Sequence, residues 1–519
     1  MSVRNSALRR LGGAIPGNRA STQNATALDP TRKRMPKTWM LTESFRSRSC
    51  QPYRLIAAGP ELETPTDLTT SRGRPRTLLT GLTLPAVALV AAVVAVVGTI
   101  GPDARWLSAL GRSIVRLGAI PDGVPYATAS SGGWHNVPVL AELVFRGLQA
   151  GFGDRGLLGA QVVAAVAAVL LIQWDARRLG ATDAGAAAAV AVVLVAGLLG
   201  FVGIRAQLFS LVLFPAVVVL LRFDERSPSR RIWLLVPLLA FWSNLHGAVL
   251  VALGVALLYL LGHRARRHPL ESAAVAVASA LALCATPTPL GTPAYYAGVM
   301  TSEAARRGYG LWAPLSLQSG FDLVLIGGAA LLLIGFVLAR PPLWQLAAAA
   351  ALTVLTVHAA RNGVWLLMFL AAPAATTLRI GARPRPAVSH CVALAFAAAA
   401  VAGFVRGPLD VGASPQLISR AIADAHGRPI LAEPAAAEQI AQAGGRVRIS
   451  NPLDAFRRSD QSLYLDWLQG HEAGDQLLRG ETAVVVSQGS RAYRRLERDP
   501  RFSQAAADSR FRLFVPRPS

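Results

Sequence analysis

From residue 78 to residue 405 the chain alternates between long apolar blocks and short polar interruptions. Most blocks approach the length of about 17 to 23 residues at which a helix rising 1.5 Å per residue crosses about 30 Å of hydrocarbon. They predict eleven membrane helices, at 78–100, 156–173, 184–203, 207–222, 232–244, 247–262, 271–286, 322–339, 343–360, 363–378 and 388–405. The amphipathic periodicity of a soluble bundle is largely missing. The pair 232–244 and 247–262 is short and brackets Trp242-Ser243-Asn244-Leu245-His246-Gly247, so one long kinked helix is the alternative to two spans. Two spans keep the basic loop 262–269 on the same side as the other basic loops.

Residues 101–155 interrupt the apolar pattern with an amphipathic stretch, a Pro/Gly/Ser turn region and a second amphipathic stretch. This predicts two helices lying at the membrane interface, joined by a loop. After residue 405 the apolar runs shorten to four to six residues, as in RPILAE (428–433), GRVRIS (445–450), TAVVVSQ (482–488) and FRLFVPR (511–517). They alternate with polar helical stretches at 434–443 and 489–498, which predicts a small α/β domain over 406–519, helix on sheet. The expected fold class is therefore an all-α polytopic membrane protein carrying a small C-terminal α/β domain.

Charge orients this arrangement. Residues 1–77 hold fourteen Lys/Arg against five Asp/Glu and no apolar run, which predicts a disordered basic tail too long and polar to be a cleaved signal peptide. Met35 and Met40 are alternative starts within it. With the tail in the cytoplasm, the Arg-bearing loops 174–180, 222–231, 262–269, 339–342 and 378–386 all face inward, as the positive-inside rule requires. The segments 101–155 and 287–321, the turns at Arg205, His246 and Arg361, and the C-terminal domain then face outward. The setting is a multi-pass plasma membrane protein.

Composition agrees: 53% of residues are hydrophobic, 16% are charged, and the mean hydropathy is +0.41. A formal net charge of +23 could suggest nucleic acid, but the excess sits in the tail and the inward loops, with no basic stretch interleaved with stacking aromatics. Cys50, Cys284 and Cys391 are too scattered for a disulfide framework or a zinc site. No metal site and no cofactor is expected.

Ionisable groups at membrane depth cost about 2.5 kcal/mol or more, so they mark cavities or ligand sites. At the outer ends stand Asp103, Arg205, Gln207, Asn244, His246, His358, Arg361 and Asn362. His358 and Arg361 are three apart, which would put both on one face of a helix end. The set offers a carboxylate for proton transfer, imidazoles and amides for hydrogen bonding, and guanidiniums suited to phosphate. Each also has a structural reading: Arg205 and Arg361 as arginines reaching lipid headgroups, a histidine as packing, Asp103 as a helix cap. Trp106, Tyr126 and Trp134 suit the headgroup level, and Tyr126 and Trp134 could instead stack on a sugar. Glu303, beside Tyr295, Tyr296, Arg306, Arg307 and Trp312 in 287–321, is a second candidate carboxylate.

Three strings resemble the GT-C superfamily of membrane glycosyltransferases, in particular bacterial relatives of polyprenyl-phosphate-dependent mannosyltransferases. They are the acid after the first span in GPDARW, the first external loop running from GRSIVRLGAIP through a Ser/Thr/Gly turn and a Trp to LAELVF, and RAQLFSLVLF followed by FWSNLHG. The resemblance covers 100–405 and implies a sugar donor carried on a polyprenyl phosphate, transfer to an envelope glycan or lipid acceptor on the outer face, and inversion at the anomeric carbon. It implies Asp103 as the general base and Arg205 or Arg361 as holders of the lipid phosphate. Ala104 stands where stronger members carry a second acid, which argues against a metal-dependent mechanism. Two other classes remain: a transporter or flippase of an envelope precursor, which would place its site near mid-membrane on broken helices, and a membrane-anchored binding protein.

Overall fold

The computed structural model describes residues 81–378, 385–480 and 483–517. The basic tail and most of loop 378–386 lie outside the described residues. Each predicted apolar block is helical where described. The helices are α1 (Thr83–Val97), α2 (Pro102–Leu117), α3 (Val139–Arg178), α4 (Asp183–Ala196), the short α5 (Leu198–Val202), α6 (Gln207–Arg226), α7 (Leu235–Ser243), α8 (Val249–Gly262) and α9 (Pro269–Ala282). After the short α10 (Thr292–Thr301) and α11 (Glu303–Arg306) come α12 (Gly320–Leu338), α13 (Leu343–His358), α14 (Gly363–Ala375) and α15 (Pro386–Arg406). Five segments are long and apolar enough to cross a membrane: Val139–Arg178, Gln207–Arg226, Val249–Arg266, Gly320–Leu338 and Pro386–Arg406.

Burial fits a lipid solvent. Helix α14 is buried along its whole length, whereas α12 and α15 bury only four and three residues and turn Ile334, Leu338, Leu394 and Val401 outward, each 60% exposed or more. Such apolar faces need hydrocarbon or another protein to cover them. Small residues allow close approach: a Cβ on Gly403 of α15 would stand 2.6 Å from the Ala95 backbone of α1.

One end of the bundle is a network of buried ion pairs. Arg222 pairs with Asp175 and donates to the Phe369 carbonyl at 2.7 Å; Arg264 reaches Asp224 at 2.7 Å and Glu271 at 2.9 Å; Tyr259 donates to Asp224 at 2.7 Å. The basic loops 174–180, 222–231 and 262–269 meet here. At the other end, Ser210 of α6 takes a hydrogen bond from Trp242 of α7 at 2.8 Å and lies 2.8 Å from His246. Chains α6, α7 and α8 therefore run alternately up and down, so 232–262 is two helices with a turn at 244–248.

A three-stranded parallel sheet ties helix ends together at the His246 end. Strand β1 (Thr99–Ile100) follows α1 and pairs with β2 (Gly203–Ile204), after α5, and with β3 (Leu409–Asp410), after α15. The first interrupted segment forms α2 and the start of α3, two helices joined by a loop. Helix α3 bends at Gly153, whose φ of 62° suits glycine alone. Gly111 of α2 packs so tightly on α3 that a Cβ would lie 2.2 Å from the Glu142 carbonyl.

Beyond β3, strands β4 (Leu431–Ala432), β5 (Val484–Ser487), β6 (Phe502–Ala507) and β7 (Phe511–Pro516) form a sheet of order β4-β5-β7-β6. Helices α16 (Pro415–Ala425), α17 (Pro434–Gln442), α18 (Arg458–Leu468) and α19 (Arg491–Glu497) flank it. The run 445–450 contributes only two isolated bridges, Val447 pairing with Ile430 and with Ala127. This C-terminal region is clamped to α2: Arg105 donates to Gln442 and Asp410, each at 2.6 Å, and to Asp154 at 3.3 Å, while Arg112 donates to the Gln442 carbonyl at 2.5 Å.

Candidate functional site

Asp103 occupies the first turn of α2, behind Gly101 and Pro102 at the helix start, where the helix dipole favours a negative charge. The β1 pairing three residues earlier fixes it in place. Its side chain makes no hydrogen bond with a described residue. Its charge nevertheless reaches Arg205, Arg361 and Glu438. The four segments carrying these groups are the start of α2, the turn before α6, the turn before α14, and α17.

Arg205 and Arg361 line one cavity of about 400 Å³. Neither guanidinium has a carboxylate within 4 Å among the described residues, and the buried Arg205 Nε has no hydrogen-bond partner. Arg361 stacks 3.7 Å over the Trp312 ring. Burial, then repulsion from Arg205, pulls Arg361 down to about 10, with Asp103 partly offsetting both. Burial likewise lowers Arg205. Asp322 also lines the cavity, but its Oδ2 accepts from the Ser316 N–H at 3.0 Å and stays outside ion-pair distance of either arginine. Two cations held together without a carboxylate at ion-pair distance are costly, and an anionic group in the cavity would relieve both.

The opposite wall is apolar, built from Val195, Leu198, Leu199, Phe321, Leu325 and Val364. Val195, Leu199 and Phe321 are also 61%, 53% and 59% exposed, so the cavity opens sideways between α4–α5 and α12, onto the lipid-facing surface. A polar headgroup site with an apolar side opening suits an amphipathic ligand.

His246 sits in the α7–α8 turn against Ser210. Trp242 already donates to Ser210 Oγ, so the serine hydroxyl donates to His246 Nδ1 and leaves the ring proton on Nε2. Burial and the two arginines push its pKa down to about 3, keeping the ring neutral. Gln207 is buried with an unpartnered Nε2 and approaches the cavity wall, since a Cβ on Gly200 would lie 3.3 Å from it.

Other sequence candidates have different places. His358 does not share a helix face with Arg361: α13 ends at His358, Ala359 is extended (φ −149°, ψ 114°), and His358 is exposed. The reading of one continuous helix end fails because the chain must turn there to bring Arg361 onto Trp312. Asn244 donates to the Ala285 and Ala240 carbonyls at 2.7 and 2.9 Å and fastens α7 to α9. Glu303 pairs with Arg306 and Arg307, and its N–H donates to Gln461 of α18. Tyr126 and Trp134 pack against the C-terminal core, and Trp134 Nε1 donates to Asp454 at 3.1 Å. Their burial follows from the C-terminal region folding over the first loop.

Sequence reasoning missed Glu142 and Glu438, both fully buried acids. Each is a lone acid within an apolar run, LAELVF and AAAEQIA, a signal that could have drawn attention to them. Among the described residues no group of three or more His, Cys, Asp or Glu could hold a metal ion.

No family model matches this chain, and no curated protein matches its sequence. Among solved structures it is similar to ArnT from Cupriavidus metallidurans bound to undecaprenyl phosphate, at 14% identity over 83% of this chain and 97% of that one, TM-score 0.48. The apo form of ArnT gives 14% identity, the same coverage and a TM-score of 0.49. The mycobacterial arabinofuranosyltransferase AftD gives 16% identity over 83% of this chain and 41% of that one, TM-score 0.45. Likeness at this level assigns neither an activity nor a substrate.

Proposed function

We propose that this chain is a membrane glycosyltransferase that takes a sugar from a polyprenyl-phosphate donor and transfers it to an envelope glycan or lipid at the outer face of the plasma membrane. The observation that supports it is the pair of guanidiniums without an acid partner, in a cavity with an apolar side opening, beside a carboxylate free of hydrogen bonds. In this reading the chain crosses the membrane eleven times over 78–405, with the tail 1–77 in the cytoplasm and residues 406–519 as an extracytoplasmic domain. The buried ion-pair network then marks the cytoplasmic end.

The donor's prenyl chain lies along the apolar opening and its phosphate between Arg205 and Arg361. As the acceptor oxygen bonds to the anomeric carbon, the bond from that carbon to the phosphate oxygen breaks and its electron pair leaves with the phosphate. The guanidiniums stabilise the charge that develops there. Asp103 takes the acceptor hydroxyl's proton, and neutral His246 and Gln207 supply hydrogen bonds without adding charge.

Complementing a deletion strain with Asp103→Asn tests the reading through the lipid-linked-sugar and glycan profiles. The variant should insert at wild-type level and leave the donor unconsumed; a restored wild-type profile would remove Asp103 from the mechanism. A transporter reading is disfavoured because these polar groups gather at one end of the helices, not at mid-span.

A further inference from the structure

Arg361 carries its charge on a long, flexible side chain, and among the described residues its guanidinium has neither a hydrogen-bond partner nor a carboxylate at ion-pair distance. Repulsion from Arg205 favours any rotamer that takes it out of the cavity. What opposes this is the face of Trp312, 3.7 Å from the guanidinium carbon. An aromatic face attracts a cation, tryptophan most strongly. It does so without using the N–H donors, which radiate in the guanidinium plane, and without neutralising the charge. A carboxylate would do both and leave less for a phosphate.

The ring is held where this contact needs it. Ala360 donates to the Ala313 carbonyl at 3.1 Å and Leu315 donates to the Val357 carbonyl at 3.2 Å, so the chain just after Trp312 runs against the chain just before Arg361. The extended Ala359 that ends α13 makes this pairing possible. Upstream, Trp312 follows a turn through Gly308 and Gly310, both at positive φ. That turn is fastened to α18 of the C-terminal region: Arg307 donates to Asp466 at 2.7 Å and to Ser462, and the Glu303 N–H donates to Gln461 at 2.9 Å. Gly310, Leu311, Ala313 and Pro314 line the cavity with Arg361, whereas Trp312 does not. The ring therefore backs the guanidinium from outside the cavity and does not touch what the cavity holds.

We propose that Trp312 is a positioning residue for the phosphate site: its ring holds the Arg361 guanidinium beside Arg205, with the N–H donors free, before an anion arrives. The inference rests on the donor reading for what the arginines bind, though not for the contact itself.

Farnesyl phosphate titrated against the full chain in nanodiscs tests this. Trp312→Leu should weaken binding about 3- to 30-fold, and Trp312→Phe, which keeps an aromatic face, should fall between it and wild type. In an Arg361→Met background Trp312→Leu should change affinity by less than about twofold, because the guanidinium it positions is gone. A merely structural role for the ring would weaken binding equally in both backgrounds. Fluorotryptophan introduced at position 312 alone reads the contact without any ligand: its fluorine resonance should move on Arg361→Met, since that change takes the cation off the ring. Full affinity in Trp312→Leu, an equal loss without Arg361, or an unmoved fluorine resonance overturns the proposal. If Trp312→Leu fails to fold, Trp312→Phe and its own combination with Arg361→Met decide by the same comparison. Should the wild type not bind farnesyl phosphate, the donor reading falls, and the fluorine resonance alone decides whether Trp312 holds Arg361.

Discussion

Replacing Arg361 by Met separates a binding group from a structural one. This guanidinium is poorly solvated and faces Arg205, which together pull it from the ordinary arginine range down to about 10. At about 1.36 kcal/mol per pH unit that fall is about 3 kcal/mol against the charged form, and screening by solvent at this half-buried site reduces it to about 1–2. Losing the stack on Trp312 costs about 0.5–1 kcal/mol. Arg361→Met should thus leave stability unchanged or raise it by about 1 kcal/mol. A charge-assisted contact with phosphate contributes about 1.5–3 kcal/mol, so farnesyl phosphate should bind about 10- to 150-fold more weakly. Differential scanning fluorimetry and ligand titration in nanodiscs read the two quantities on one sample. A loss of more than about 2 kcal/mol in stability with phosphate affinity intact would refute the reasoning and make Arg361 a packing residue.

At the opposite end Arg264→Met should behave in the reverse sense: it strands Asp224, 1% exposed by side chain, and should cost about 3–5 kcal/mol in thermal unfolding with no direct effect on phosphate affinity. Adding Asp224→Leu should recover much of that loss, and a double variant as weak as the single would count against a buried pair. Burial holds Asp454 at about 6 against 3.8 in the unfolded chain, so folding takes up a proton between these values. Its contribution is complete below the unfolded value and lost as pH rises through about 6. Asp454→Asn should accordingly flatten the fall in melting temperature between those pH values relative to wild type; parallel curves would contradict the assignment. Gly111→Ala should cost about 1–3 kcal/mol or more through its clash with the Glu142 backbone, and an unchanged melt would mean that α2 and α3 are less tightly joined.

The helices were legible because the bilayer imposes length and polarity block by block, so 207–222 could be read from its own residues alone. The paired helices of segment 101–155 showed in their amphipathic period. Asp103, Arg205, His246 and Arg361 were recognisable because a charge beside an apolar block is costly and therefore conspicuous. What stayed hidden depended on partners remote in sequence. Arg105 looked like one more basic residue until Asp410 and Gln442 stood beside it. Tyr126 and Trp134 read as headgroup anchors because nothing local shows that the C-terminal region folds over them. His358 was misplaced for a local reason: a single extended residue, Ala359, broke a helix that periodicity would have continued. Strand β6, FSQAAA, carries too little apolar alternation to announce itself, and it forms because β7 offers an edge.

The small parallel sheet at the helix ends also sets a timetable. Strand β1 leaves α1 three residues before Asp103, yet its partner β3 arrives 310 positions later, and the Asp410 that anchors Arg105 comes with it. During synthesis the carboxylate must therefore wait, unpositioned, until nearly all the helices have been inserted. A chain interrupted between α15 and that strand would carry every membrane-embedded helix and both guanidiniums but lack the strand pairing beside Asp103 and the carboxylate that holds Arg105.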